Sequence, residues 1–174
     1  MRPAIIQYAW VVPNLEEAAR NWHATMGVGP FLINRDIQVA QARHRLAPTA
    51  TRFSTAVAQS GDVQIELIEQ LDDGPSVYRE TVPAGATGFH HIAFIDADFT
   101  AAVARLTDQG HEIAADGVFG EMRYAYVDTT ASIGCMTEIV EDKPAVRAFF
   151  GAIRKAADRW DGAPATLLRE LAPR

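Results

Sequence analysis

The stretch Gln7-Tyr8-Ala9-Trp10-Val11-Val12-Pro13-Asn14-Leu15-Glu16-Glu17-Ala18 decides how the rest of the chain is read. Its opening is rich in aromatic and β-branched residues and runs into Pro13, the pattern of a strand that stops. Asn14 then offers a side-chain oxygen to cap a helix, with Glu17 three residues on as its capping-box partner. Leu15, Ala18, Ala19, Trp22 and Met26 recur at helical spacing until Gly27 ends the run. The same passage occurs again 84 positions later: His91-Ile92-Ala93-Phe94-Ile95 reads as the strand, Asp98 as the cap, and Phe99, Ala102, Val103 and Leu106 as the apolar stripe closed by Gly110.

A second correspondence, offset by 72, links Val63-Gln64-Ile65-Glu66-Leu67-Ile68-Glu69 to Cys135-Met136-Thr137-Glu138-Ile139-Val140-Glu141. Strand-like Arg52 to Val57 and Arg123 to Asp128 precede them, with Phe31 to Asp36 and His111 to Val118 as the vaguer second strands. Each half therefore reads strand, helix, then about three strands. A lone unit of that kind leaves one sheet face bare, so two copies are expected to pair. The predicted fold class is α+β: two tandem βαβββ modules pairing into a concave sheet or half-barrel, helices outside, plus a C-terminal helical extension. The expected divisions are a 1–142 domain, with module one 1–72 and module two 86–142, and a 143–174 extension. In the extension Pro144 opens a helix with Val146, Phe149, Phe150, Ile153, Ala157 and Trp160 on one face, and Asp161-Gly162-Ala163-Pro164 reads as a turn before a short last helix.

Composition supports a globular chain, with 48% apolar and 22% charged residues, enough to build a core. The formal charge of −6 repels phosphate polymers and anionic lipid surfaces, so neither nucleic acid nor a membrane is an expected partner. Cys135 is the lone cysteine and no apolar run follows a basic start, so the expectation is a cytoplasmic protein.

Alternation places Gln7, Ala9 and Val11 on one face of the first strand and Tyr8, Trp10 and Val12 on the other, where the bulky set should meet the helix. By the same alternation Glu66, His91 and Glu138 face away from the helices, as Gln7 does, while His90 should point opposite to His91. Two carboxylates and an imidazole in apolar strands are costly to bury unpaired. A divalent cation held by Gln7 Oε1, Glu66, His91 and Glu138 would compensate them, and an oxygen-rich set with one nitrogen suits Zn, Ni, Co, Mn or Mg.

With these residues in view, the chain resembles the vicinal oxygen chelate superfamily, the glyoxalase, bleomycin-resistance and dioxygenase group. The resemblance spans about residues 5–142 and rests on the opening stretch, on Gly88-Phe89-His90-His91-Ile92-Ala93-Phe94, on Ile65-Glu66-Leu67-Ile68-Glu69 and on Thr137-Glu138-Ile139-Val140-Glu141. It is similar to the glyoxalase-like branch that contains methylmalonyl-CoA epimerase. The resemblance implies one metal ligand from the first and last strand of each module, at Gln7, Glu66, His91 and Glu138. Epimerase relatives usually have His at the first of these positions; Gln there is similar to some lactoylglutathione lyases. A homodimer is also implied.

A metal bound to a substrate carbonyl acidifies the neighbouring proton by stabilising an enolate, and Glu138 and Glu66 are the expected bases. The expected activity is a metal-dependent isomerase, epimerase or lyase on a small carbonyl or thioester substrate. The alternative is a non-catalytic, sequestering binder of the same fold. An extradiol-type oxygenase ranks behind both, because only one ligand position carries His. Arg43, His44, Arg45 and Arg52 form a basic group that would hold a coenzyme A phosphate or a substrate carboxylate, or else a solvated loop. Trp22, Phe31 and Phe53 read as core at their spacing, with the lining of an apolar cavity as the alternative.

Overall fold

A computed structural model describes residues 3–171. In the first half β1 (Gln7–Val11) leads into α1 (Leu15–Met26) and β2 (Phe31–Ile37); a hairpin of β3 (Ala40–His44) and β4 (Ala47–Pro48) follows, then β5 (Phe53–Ser60) and β6 (Val63–Gln70). The short helix α2 (Val77–Thr81) links to the second half: β7 (Gly88–Asp96), α3 (Phe99–Thr107), β8 (Ile113–Phe119), β9 (Met122–Val127), the single turn α4 (Thr130–Ile133) and β10 (Met136–Glu141). Helix α5 (Pro144–Asp158), a 3₁₀ turn at Pro164–Thr166 and β11 (Leu168–Glu170) complete it.

The repeat read from sequence is the frame of the molecule. One curved sheet runs β11-β2-β5-β6-β1-β7-β10-β9-β8-β3-β4. Its two four-stranded halves mirror each other and join where β1 and β7 pair antiparallel, with β6 and β10 flanking them in parallel. The two helix starts follow the same local chemistry: Glu17 N–H donates to Asn14 Oδ1 at 2.8 Å and Ala101 N–H to Asp98 Oδ1 at 3.0 Å. Gly27 takes φ +69° to end α1, a conformation that costs a side chain little only when that side chain is absent. On the convex side α1 buries Leu15 and Ala19 against Phe31, Ile33 and Leu67, with Tyr8, Trp10 and Trp22 packed around them. The bulky face of β1 thus meets the helix, as alternation requires. Ala102 of α3 packs on Phe94, Val127 and Ile139 in the matching place.

Three departures from the sequence reading have physical causes. The segment after Pro164 is not a helix: its Leu168–Glu170 pairs in parallel with β2 and extends the sheet. The aromatic stripe of α5 divides, because the helix ends before Trp160. Phe149 and Ile153 pack on Leu32 and Val57 of the concave face, whereas Trp160 joins the convex cluster, its ring tilted against that of His23 at 5.1 Å. The stretch around Arg43 is a hairpin, not a loop, and it crosses over to pair with β8 of the other half.

That crossing is fastened by charge. Arg45, left-handed at φ +47°, reaches Glu80 at 2.7 Å, Asp128 at 2.6 Å and Glu112 at 3.2 Å. Arg45 holds the Glu80 carboxyl below the usual carboxylate range, chiefly by hydrogen bonding. Arg45→Met is therefore expected to cost about 1 kcal/mol in urea denaturation at pH 7. A depressed carboxyl stabilises the fold above its unfolded value, about pH 4, and that contribution disappears as pH falls through the folded value. As pH falls below about 4 the variant should approach the parent.

Candidate metal centre

The site lies on the concave face where β6, β1, β7 and β10 run side by side. Strand register sets Glu66, Ala9, His91 and Met136 in one row and Gln64, Gln7, Ala93 and Glu138 in the next. The two alanines matter as much as their polar neighbours, because both are fully buried and leave open the space between the longer side chains. Glu66, His91 and Glu138 come together within a single chain, with donor atoms all inside 4.8 Å of one another. His91 Nε2 stands 3.2 Å from Glu138 Oε2 and 3.6 Å from Glu66 Oε2. It is nevertheless a buried atom without a hydrogen-bond partner, since neither carboxylate meets it in bonding geometry. Gln7 is buried and lines the same cavity, and its Nε2 donates to Gln64 Oε1 at 3.3 Å, which orients its amide. Burial pushes the Glu66 carboxyl well above its ordinary range, and Glu138 beside it adds to the shift.

His90 stands elsewhere than strict alternation predicts. The register of β7 slips against β1, Ala9 facing His91 and Trp10 facing Phe89, so His90 is the extra residue of a bulge. The bulge turns its ring toward that of its neighbour: His90 Nδ1 lies 2.9 Å from His91 Nδ1, and His90 Nε2 lies 3.1 Å from the Val77 carbonyl. That carbonyl only accepts, so His90 Nε2 carries a hydrogen and its Nδ1 is the acceptor, burial holding the ring neutral with its pKa down to about 3. His91 Nδ1 must then be the donor. The His90 contact thereby uses the Nδ1 proton of His91 on the side away from the carboxylates and leaves Nε2 as the atom that faces them.

Above these residues opens a cavity of about 330 Å³. Tyr124 and Tyr126, which alternate along β9, line it together with Tyr78 of α2. Tyr126 lies directly across the ladder from Glu138, its ring 5.0 Å from that of His91. Burial raises the phenols of Tyr78 and Tyr126, keeping them neutral. The sequence reading did not single out these tyrosines, although period-two spacing in a strand pairing with Glu138 was a usable signal. The basic group, in contrast, is spent on structure: Arg43 pairs with Asp116, His44 and Arg45 with Glu80, and Arg52 with Asp36. Trp22 and Phe31 are in the helix-side core, and Phe53 lines the cavity.

A family model described as the Glyoxalase/Bleomycin resistance protein/Dioxygenase superfamily matches residues 6–126. The chain belongs to that superfamily. Solved structures agree in fold. A hypothetical protein from Bacillus halodurans C-125 superposes with a TM-score of 0.62 at 15% identity, covering 82% of this chain and 96% of that one. Methylmalonyl-CoA epimerase from Mycobacterium tuberculosis gives 0.52 at 19%, covering 83% and 91%. A variant of the Streptomyces coelicolor epimerase in complex with 2-nitronate-propionyl-CoA gives 0.52 at 18%, covering 82% and 99%. At such identities the likeness speaks for the fold alone. No curated protein is matched by the sequence. Among the described residues no helix is long and apolar enough to cross a membrane. The match ends at residue 126, so Glu138 of β10 and helix α5 lie beyond it.

Proposed function

We propose that the protein is a metal-dependent epimerase or isomerase that moves a proton beside the carbonyl of a small carbonyl or thioester compound. The reading is carried by His91 Nε2, a buried nitrogen without a hydrogen-bond partner between two acidic side chains at the foot of a cavity. Two acidic groups and an imidazole whose ring proton is turned away are a donor set that a divalent cation fits. Glu66, His91 and Glu138 would hold it, and Gln7 would offer its amide oxygen as the fourth donor. When bound, such a cation supplies Lewis acidity to a carbonyl oxygen.

The protein groups perform the remaining work. Glu138, at the junction of the cavity and the cluster, takes the proton from the carbon next to the carbonyl. Glu66, entering the cycle protonated on the oxygen turned from the cation, would give that proton to the opposite side of the carbon from the other half of the pseudo-symmetric sheet, which inverts it and leaves the proton on Glu138; return by Glu138 itself to a neighbouring atom would give an isomer. Tyr78 and Tyr126 keep water away from the exchange. The test is elemental analysis after metal loading, followed by proton exchange with D₂O, read by NMR, for methylmalonyl-CoA and for a simple hydroxy ketone. One equivalent of metal and exchange that depends on it support the reading; full loading with no exchange in either compound defeats it.

His90→Phe removes the acceptor that fixes the His91 proton. A change of this kind is expected to weaken metal binding about 10–100-fold, measured by competition with a chelator, with little change in the fold. His90→Gln, which restores an accepting oxygen, should recover much of that loss.

A further inference from the structure

The cavity changes character along its depth. Its floor holds Gln7, Glu66 and Glu138; its upper wall is made by α5, whose Val146, Phe149 and Phe150 line it, Phe149 packing on Val57 of the sheet. The Phe149 and Phe150 rings stand 6.1 Å apart and inclined by 57°, both half-buried, so each presents ring surface to the space between helix and strand. Among the described residues the lining includes a single cation, Lys143, and its Nζ is 3.4 Å from Glu141. The four basic residues beside the β3–β4 hairpin are likewise committed to carboxylates. A charged group at the far end of a ligand, away from the two carboxylates that a cation would offset, would therefore meet Glu121 and, among the described lining residues, no cation but the paired Lys143.

We propose that α5 is the specificity wall of this site and that the ligand is a carbonyl compound whose far end is an uncharged, flat apolar group. Its oxygens lie at the Glu66, His91 and Glu138 end, and its ring lies against Phe149 and Phe150. This rests on the metal-centre reading and narrows the ligand class within it. A volume near 330 Å³ accommodates a one-ring compound, at the small end of ligand cavities. Burying a phenyl group there should tighten binding about 10–100-fold over a methyl group, because offset and edge-on ring contacts add to apolar burial.

The experiment titrates the Ni²⁺-loaded protein with acetohydroxamate and benzohydroxamate, which present the same two-oxygen head and differ in methyl against phenyl. The parent should bind benzohydroxamate about 10–100-fold more tightly. The double variant Phe149→Ala/Phe150→Ala should lose most of that preference while binding acetohydroxamate as the parent does. Phe149→Leu/Phe150→Leu, which keeps the helix packed, should lose part of it. A carboxylate added at the para position of benzohydroxamate should weaken binding at least about tenfold, the direction set by the unpaired buried charge. Equal affinity for the two parent probes, a phenyl preference that survives both double variants, or tighter binding of the carboxylated probe overturns the proposal. Acetophenone, followed by ligand-observed NMR with chelator-treated protein, separates this idea from the metal centre. Binding lost in the double variants upholds the ring site even where no metal is retained, and absence of acetophenone binding to the parent defeats it.

Discussion

Supplying a divalent cation at about a thousand times its dissociation constant is expected to raise unfolding free energy by about 4 kcal/mol and the melting temperature by about 8–16 °C. The size follows from what the cation would relieve. Without it, the fold holds Glu66 and Glu138 side by side in the same buried space and leaves His91 Nε2 unpartnered. A ligand bound only by the native state adds its whole differential affinity to stability. His91→Ala and Glu138→Ala should each abolish most of the rise, and a chelator should return the parent to its metal-free melting temperature. Thermal denaturation across a metal series reads all of this; an equal rise in parent and both variants would show that the cation binds elsewhere.

The second large effect separates holding a metal from moving a proton. Glu138→Gln preserves the shape of the side chain and one oxygen donor but removes the base. Metal content should remain near that of the parent, while proton exchange into D₂O falls about 10²–10⁴-fold, the usual contribution of a positioned general base. His91→Ala should lose exchange and metal together. If Glu138→Gln exchanges at the parent rate, the base is another group.

Much of this architecture was legible because it is written twice. The strand–cap–helix passage at Gln7 and its echo at His91 define the frame, and side-chain alternation alone puts Gln7, Glu66 and Glu138 on the concave face. What stayed hidden is what long-range pairing decides. The β3–β4 hairpin carries Arg, His and Gln rather than apolar alternation, and non-glycine residues at Gln41, Arg45 and Leu46 take positive φ values that no turn signature announces. It is a strand only because β8 supplies a ladder for it. The same holds for Leu168–Glu170 beside β2. His90 was misplaced for a related reason: a bulge is a property of two strands in register, so a single strand read by period two cannot reveal it. The basic group near Arg43 looked available for an anion because its carboxylate partners, Asp116, Glu80 and Asp36, are scattered along the chain.

The two strand additions share a role that only the complete sheet makes visible. Without them β2 and β8 would each end the sheet as seven-residue strands with open backbone hydrogen-bonding groups, the kind of border on which other chains polymerise. Among the described residues the outermost pieces are instead β11, three residues long, and β4, two residues ending in Pro48. A curved sheet with such blunted margins gives an incoming strand little to pair with, so the extension that walls the cavity is followed directly by the piece that keeps one border of the molecule from self-assembling.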